Sequence, residues 1–593
     1  MNTLSFRHPL LRSIGLLLLA TAGCGNDPAP ANPSPCQGAE CDAGTTCQGA
    51  ECDAGTTCQG AECDAGADTG PTCTPASNLA GIEGGLEGAY VKTYAGGGDG
   101  GLAHITYWGI KVGTPEFEAL APEEQAKLKK LQSGVLHSIK LPPKDDVAGT
   151  EVTGTLVVAG PDGERRQEIA LKVPANWNGE LVVLGTPGTR TEFSNDATFA
   201  PWLLRRGYAM VTGNKGMTNG GADGNATLLN KMHPTRHWGE MMLDLATWAS
   251  ERLEKVTCTK PARVYAAGLS NGGYQVRRAL EIDHARVNSG ESGAERIFAG
   301  GIDWAGAYWP DARVLDEDKD GKVTPGEFAK ANHLVSTLER ASVAMGWAYD
   351  PATLSNPQAY AETPPFSAAH PAMIAAGFAP ASAILWGTYN TLFDSFKAQL
   401  PSFKGIGYYN LTAYYYRADL LGHDLAASAG YSPFPSNDVD PPPFYDFLKQ
   451  LGPDGGWTEE SVQHALENAN TGEFSAPLIS VHGDADSLIG LGAHAEAYRA
   501  AIEKYGNAEK YRLYVVEHAT HVDLHADGII DYDFDGMAGE EGAGDKLTIL
   551  QPYVEAGFDA LVGWVRDQKA PKPSGNVTTD PAKDVLDAAA ITF

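Results

Sequence analysis

Residues Arg263 to Leu280 read RVYAAGLSNGGYQVRRAL, and the reading of Ser270 in their middle decides the fold. Ser270 is either a serine capping the helix that follows or a nucleophile on a sharp strand-to-helix turn. The pattern G-x-S-x-G does not choose by itself, because glycine fills 69 of the 593 positions. The flanks carry the choice. RVYAAG is a short apolar run suited to a buried strand, and NGGYQVRRAL opens a helical pattern. A turn between them holds the serine in a strained backbone conformation. Gly268 and Gly272 then let neighbouring backbone pass, and Gly273 lets the helix lie near the strand. The amide of Asn271 stands at the helix N-terminus, where it can stabilise an oxyanion.

Upstream, TGTLVVAG, the turn PDGE and RQEIALKV make a hairpin, and LVVLG is continuously apolar, as a strand covered on both faces should be. APWLLRRG reads as helix, YAMVTGN as strand and HWGEMMLDLATWASERLEK as an amphipathic helix. Downstream come the strand RIFAGGIDWAG and a long irregular and helical section from Tyr308 to about Thr471. APLISVHG and KYRLYVVE follow as strands, with GAHAEAYRAAIEKYG helical between them and KLTILQPYVEAGFDALVGWVRDQ as a closing helix. Such alternation implies an α/β fold, a mostly parallel sheet with helices on both faces. The long section reads as a mainly helical cap inserted between two strands.

A serine hydroxyl is a weak nucleophile without a base, so a histidine and an orienting acid must follow. APLISV runs into HGDAD, placing Asp486 just past a strand end; KYRLYVVE runs into HATHVD, placing His521 in the equivalent loop. Asp484 and Asp303 (in GGIDWAG) compete for the acid role, and His518 competes with His521. With GLSNG, HGDAD and EHATH in this order, the chain resembles an α/β-hydrolase from about Glu151 to Gln568, cap excepted. That resemblance implies Ser270, Asp486 and His521 as the triad. Many members of that superfamily carry H-G after the third strand, where this chain has LGTPGTR. Pro187 has no amide hydrogen, so Thr186 or Gly188 must give the second oxyanion donor beside Asn271, and Thr186 is preferred. GLSNGG also resembles the serine motif of secreted feruloyl esterases, tannases and polyhydroxyalkanoate depolymerases. The cap aromatics Trp386, Tyr389, Tyr408, Tyr409 and Tyr414 to Tyr416 suit an ester substrate, small or oligomeric, although most of them form lid core. A serine peptidase of the same fold and an inactive surface-binding protein are the rival readings.

DEDKDGKVTPGE, from Asp316 to Glu327, matches the calcium loop D-x-[DN]-x-[DN]-G-x5-E. Asp316, Asp318 and Asp320 supply side-chain oxygens, Gly321 the bend, Lys322 a backbone carbonyl and Glu327 a bidentate carboxylate. Thr324 stands at the place often bridged by water. A structural calcium ion here would staple the cap. DYDFDG, with Asp531, Asp533 and Asp535, is a half-complete second pattern.

A formal charge of −30 with no Lys/Arg run excludes nucleic-acid binding, and 43% hydrophobic residues suffice for a large core. Arg7 and Arg12 precede the apolar run IGLLLLATAG, a secretory signal too short to span a membrane. TAGC resembles a bacterial lipoprotein box, so Cys24 is the expected lipid anchor, the protein's one route to a membrane, and the location is exported, on the outer membrane or extracellular. CQGAECDAGTT occurs twice from Cys36 and continues as CQGAECDAGAD, a repeat with no apolar face. Its cysteines imply disulfides in an exported stalk, and the remaining Cys73 and Cys258 are expected to pair. The domain plan is a signal over 1–23, a stalk over 24–72, hydrolase core over 73–309 and 471–575, a cap over 310–470 and a tail over 576–593. No G-x-G-x-x-G follows a first strand, so no nucleotide cofactor is implied.

Overall fold

A computed structural model describes residues 75, 79–97, scattered positions from 101 to 144, and 146–216, 235–331, 457–523 and 547–593, apart from 162, 189–190, 291–293, 487, 581–582 and 584. The expected signal and stalk, the expected lipid-anchor residue Cys24, most of the expected cap and the Asp531 cluster lie outside the described residues. Two compact units divide the chain, Met1–Gly70 and Pro71–Phe593, and the second holds everything below.

The strands of the main sheet are β1 (Leu86–Tyr94), β2 (Gly149–Gly160), β3 (Gly163–Pro174), β4 (Leu181–Gly185), β5 (Ala209–Gly213), β6 (Val264–Leu269), β7 (Gly300–Trp304), β8 (Leu478–Gly483), β9 (Tyr511–Val516) and β10 (Gly575–Val577). They form one 10-stranded sheet in the order β1-β2-β3-β5-β4-β6-β7-β8-β9-β10. The pairs β1/β2, β2/β3 and β3/β5 are antiparallel, and every pair from β5 to β10 is parallel. This is the α/β-hydrolase fold. The register Leu269↔Trp304, Trp304↔Val481 and Val481↔Tyr514 aligns the strand ends, so the loops leaving β6, β7, β8 and β9 open on one carboxyl edge.

Strand periodicity divides the core in two. Leu181 and Val183 face one layer with α2 (Trp238–Thr257), α3 (Asn271–Asn288) and α7 (Ala497–Tyr505). Val182 and Leu184 face the other, with α1 (Ala200–Arg205) and α8 (Gln551–Asp567). In that second layer Phe558 of α8 meets Trp202, Tyr208 and Tyr265 edge-on at 5.4, 5.4 and 5.6 Å, the geometry aromatic quadrupoles favour. No helix among the described residues is long and apolar enough to cross a membrane.

The described ends of the inserted section meet at a neck. Asn470 and Trp309 exchange hydrogen bonds, Asn470 N–H to Trp309 O at 2.6 Å and Trp309 N–H to Asn470 Oδ1 at 3.1 Å. Phe328 in α5 (Pro325–Lys330) packs edge-on against Trp457, just before α6 (Glu459–Leu466), at 4.7 Å. Glu281 of α3, fully buried, accepts from the Thr471 and Gly472 amides at 3.0 and 2.9 Å and from Tyr498 Oη at 2.8 Å. Burial pushes its carboxyl above the ordinary value.

Three details differ from the sequence expectation. The tail over 576–593 belongs to the fold: β10 pairs with β9, and Phe593 stacks on Tyr514 at 4.1 Å. The closing helix starts at Gln551 rather than Lys546, because Thr548 forms a parallel bridge with Ala519 and Pro552 suits a first turn. The helix over GAHAEAYRAAIEKYG begins with a π-turn, Gly492–Glu496.

Candidate active site

Ser270 lies between β6 and α3 at φ 62° and ψ −118°, a backbone region that side-chain-bearing residues avoid. Its amide donates to Trp304 O at 2.8 Å, and its carbonyl accepts from the Tyr274 amide at 3.0 Å and the Ala307 amide at 3.3 Å. The turn demands missing side chains. A Cβ on Gly272 would lie 2.2 Å from Gly185 O, and one on Gly268 2.4 Å from Gly272 O. The serine is therefore an elbow between strand and helix. It makes no side-chain capping bond to the helix.

Asp486 and His521 emerge from the loops after β8 and β9 and meet, with Nδ1 of His521 2.7 Å from Oδ2 of Asp486. Both are buried, at 0% and 3% exposure. An ionised carboxylate only accepts, so Nδ1 carries the proton and Nε2 is left as the basic nitrogen. The other oxygen of Asp486 accepts from the Leu488 and Ile489 amides, each at 2.8 Å. Burial by itself raises the Asp486 carboxyl, but the His521 charge and hydrogen bond outweigh it, with help from His482 and the Ile489 amide. The carboxyl lies below its ordinary value.

The competing residues have other partners. Asp484 accepts from the His518 amide at 2.7 Å, and burial raises its carboxyl. His518 is exposed, at φ 59°, with Nδ1 3.4 Å from Thr579 Oγ1. Asp303 is gripped by Arg277, whose Nη2 and Nε reach its two oxygens at 2.9 and 3.1 Å.

The loop after β4 corrects the oxyanion expectation. The Thr186 amide is already spent on Gln275 Oε1 at 2.9 Å, deep in the core, so it has no hydrogen to offer. Gln275 is held in turn by donating to Trp238 O at 3.0 Å. Gly188, at φ 51°, is the alternative: its amide donates to no acceptor among the described residues. Asn271 is the first residue of α3, and its side-chain amide reaches Gly188 O at 3.3 Å, drawing loop and elbow together.

The sequence reading passed over Gln275, Asp523 and Lys215. Asp523, two residues past His521, accepts from the Leu550 and Gln551 amides at 2.6 and 2.8 Å and so ties the histidine loop to the N-terminus of α8. A buried aspartate before an unassigned stretch gave no signal of this pairing.

Asp316, Asp318 and Asp320 each bring one oxygen to within 4.8 Å of the others, around the bend at Gly321, φ 87°. Glu327 accepts from the Glu317 amide at 2.9 Å and from Thr324 N–H and Oγ1 at 2.8 and 2.7 Å. The Thr324 hydroxyl, then the Thr324 and Glu317 amides, hold its carboxyl below the ordinary value. Asp316 directly follows α4 (Ala312–Leu315, 4 residues) and Glu327 lies within the 6-residue α5, so only short helices flank this stretch. Cys258 is disulfide-bonded; its expected partner Cys73 lies outside the described residues.

No family model and no curated protein matches this chain. Among solved structures it is similar to feruloyl esterase B from Aspergillus oryzae, at 13% identity and TM-score 0.37, covering 74% of this chain and 86% of that one. Tannin acyl hydrolase from Aspergillus niger stands at 13% and 0.38, covering 74% and 82%. The rice cell wall degrading esterase LipA from Xanthomonas oryzae stands at 13% and 0.34, covering 65% and 87%. Likenesses this distant leave the protein's function to be read from its own residues.

Proposed function

We propose that this protein is an exported serine hydrolase that cleaves small or oligomeric carboxylic esters through an acyl-enzyme. One observation carries the reading: a serine held at φ 62° on a strand-to-helix elbow opens on the same sheet edge as a buried imidazole–carboxylate pair. In this mechanism His521 Nε2 takes the Ser270 hydroxyl proton as Oγ bonds to the ester carbonyl carbon. The carbonyl oxygen gains negative charge, met by the amides of Asn271 and Gly188. His521 gives the proton to the leaving alkoxide as the ester C–O bond breaks. Water then repeats the sequence on the acyl-enzyme, releasing the acid and restoring Ser270. Asp486 holds the imidazole in the required tautomer throughout.

The signal-like residues 1–23 and the TAGC box at Cys24 support export with a lipid anchor. A fluorophosphonate probe should form a covalent adduct mapped by mass spectrometry to Ser270 in the intact protein, because only an activated serine reacts. A probe that labels nothing in enzyme with full native spectra leaves only the surface-binding alternative.

Calcium belongs to the same proposal. Asp316, Asp318, Asp320, Glu327 and the Lys322 carbonyl would hold the ion, and the charge repulsion among three neighbouring carboxylates supports a cation there. The loop adjoins the neck, so the ion would stiffen the base of the cap. Extracellular sites bind with Kd of roughly 10⁻⁴ M, so about 10 mM calcium should add about 2.7 kcal/mol of stability. Urea midpoints in calcium, in magnesium and in EDTA measure this; identical midpoints would remove calcium from the proposal.

A further inference from the structure

We propose that Lys215 is a positioning residue that sets the aim of the oxyanion-binding loop, an inference that rests on the serine-hydrolase reading above. Lys215 follows β5, at φ 60° and 1% exposure. Its ammonium donates to Thr186 O at 2.6 Å and to Gly188 O, while the Trp238 ring lies 4.3 Å away. A buried ammonium thus closes a ring through two carbonyls of one short loop.

What that ring encloses gives the inference its content. The Thr186 carbonyl belongs to the peptide unit before Pro187, and the Gly188 carbonyl to the unit after Gly188. The unit between them carries the Gly188 N–H. Fixing both neighbours, with Pro187 locking its own φ, leaves that N–H little freedom. Without the clamp, Gly188 would be the loosest point of the loop, since glycine has the widest conformational range. Asn271 adds a second hold on Gly188 O, from the first turn of the helix that carries Ser270. The Thr186 amide on Gln275 anchors the other end. Three residues, one following β5 and two from α3, therefore orient one amide, and among the described residues Lys215 holds the carbonyls on both sides of it.

An aimed donor matters only when negative charge forms on the substrate oxygen. Its loss should therefore lower kcat and leave KM almost unchanged. A compact ammonium can serve two converging carbonyls, whereas the planar guanidinium of arginine presents its donors in a fixed fork. Charge alone is then not enough.

The test uses the full chain, with kcat and KM on p-nitrophenyl butyrate and inhibition by a boronic acid, which forms a tetrahedral adduct on serine. Lys215→Met is expected to lose about a hundredfold in kcat, with KM within about threefold and the boronate inhibition constant rising in parallel. Lys215→Arg, which keeps the buried charge and safeguards folding should Lys215→Met fail to fold, is expected to lose at least about tenfold in kcat. Wild-type kcat in either folded variant overturns the proposal. So does a loss confined to KM, or a boronate constant that does not move. Ser270→Ala separates the two levels of inference: turnover that survives it removes the hydrolase reading and this inference with it. Turnover that it abolishes, beside an unimpaired Lys215→Arg, removes the role of Lys215 alone.

Discussion

Ser270→Ala is expected to lower kcat on p-nitrophenyl butyrate by about 10⁵–10⁶-fold while the protein melts as before. The fold should tolerate it because every hydrogen bond that shapes the elbow uses the Ser270 backbone: the amide to Trp304 and the carbonyl to Tyr274 and Ala307. Alanine keeps the Cβ that makes φ 62° unfavourable, so strain is neither added nor relieved. Ser270→Gly differs in a diagnostic way. It should be equally inactive yet more stable by about 1 kcal/mol, since glycine enters this backbone region freely. Asp486→Asn should cost about 10⁴-fold in kcat, because an amide facing Nδ1 favours the wrong imidazole tautomer. Steady-state rates and urea melts of the three variants give the answer. Undiminished turnover in Ser270→Ala would sink the mechanism, and an unchanged stability in Ser270→Gly would deny that the elbow is strained.

These residues were legible because each motif sits where a local pattern changes. LVVLG, AMVTG and VYAAGL are wholly buried strands and read as unbroken apolar runs. G-x-S-x-G marks where such a run turns into a helix, and HGDAD and EHATH mark where two others end. Other features depend on contacts between distant segments. β1 leaves Glu87 to Tyr90 on the surface, so it carries no apolar alternation and does not read as a strand. β10 is a strand of 3 residues whose only strand neighbour among the described residues is β9. At the loop after β4 the sequence favours Thr186 as donor, whereas the group that occupies its amide, Gln275, comes 89 positions later. No local propensity encodes that pairing. The same holds for Lys172, which faces Glu151 across the β2–β3 register and meets Asp196, all three buried.

Arg277→Met is expected to destabilise the protein by about 3–5 kcal/mol, because it strands a charge in the core. Asp303 and Arg277 are both fully buried, joined through both carboxylate oxygens, and Asp303 also accepts from the Gly306 amide at 3.1 Å and the Ser480 hydroxyl. Arg277 further donates to Ala307 O at 3.2 Å and lies 4.5 Å from the Tyr498 ring. Burial alone would lower the guanidinium pKa, and Asp303, with Tyr511 and Tyr498, more than restores it. With the arginine gone, the carboxylate must stay charged without its partner or take a proton, and either costs stability. Asp303→Leu added to Arg277→Met should return most of the loss, since an apolar pair leaves no charge behind. Urea melts of the two singles and the double form the cycle. A double variant no more stable than the less stable single would show that the pair holds the core by packing and not by charge. The outcome also bears on the proposed catalytic acid. Arg277, the Gly306 amide and the Ser480 hydroxyl together give each oxygen of Asp303 two donors, leaving no place for an imidazole, so the folded Arg277→Met protein should keep its kcat while Asp486→Asn loses it. A folded Asp303→Leu/Arg277→Met double with kcat as low as that of Asp486→Asn would instead transfer the orienting role to Asp303.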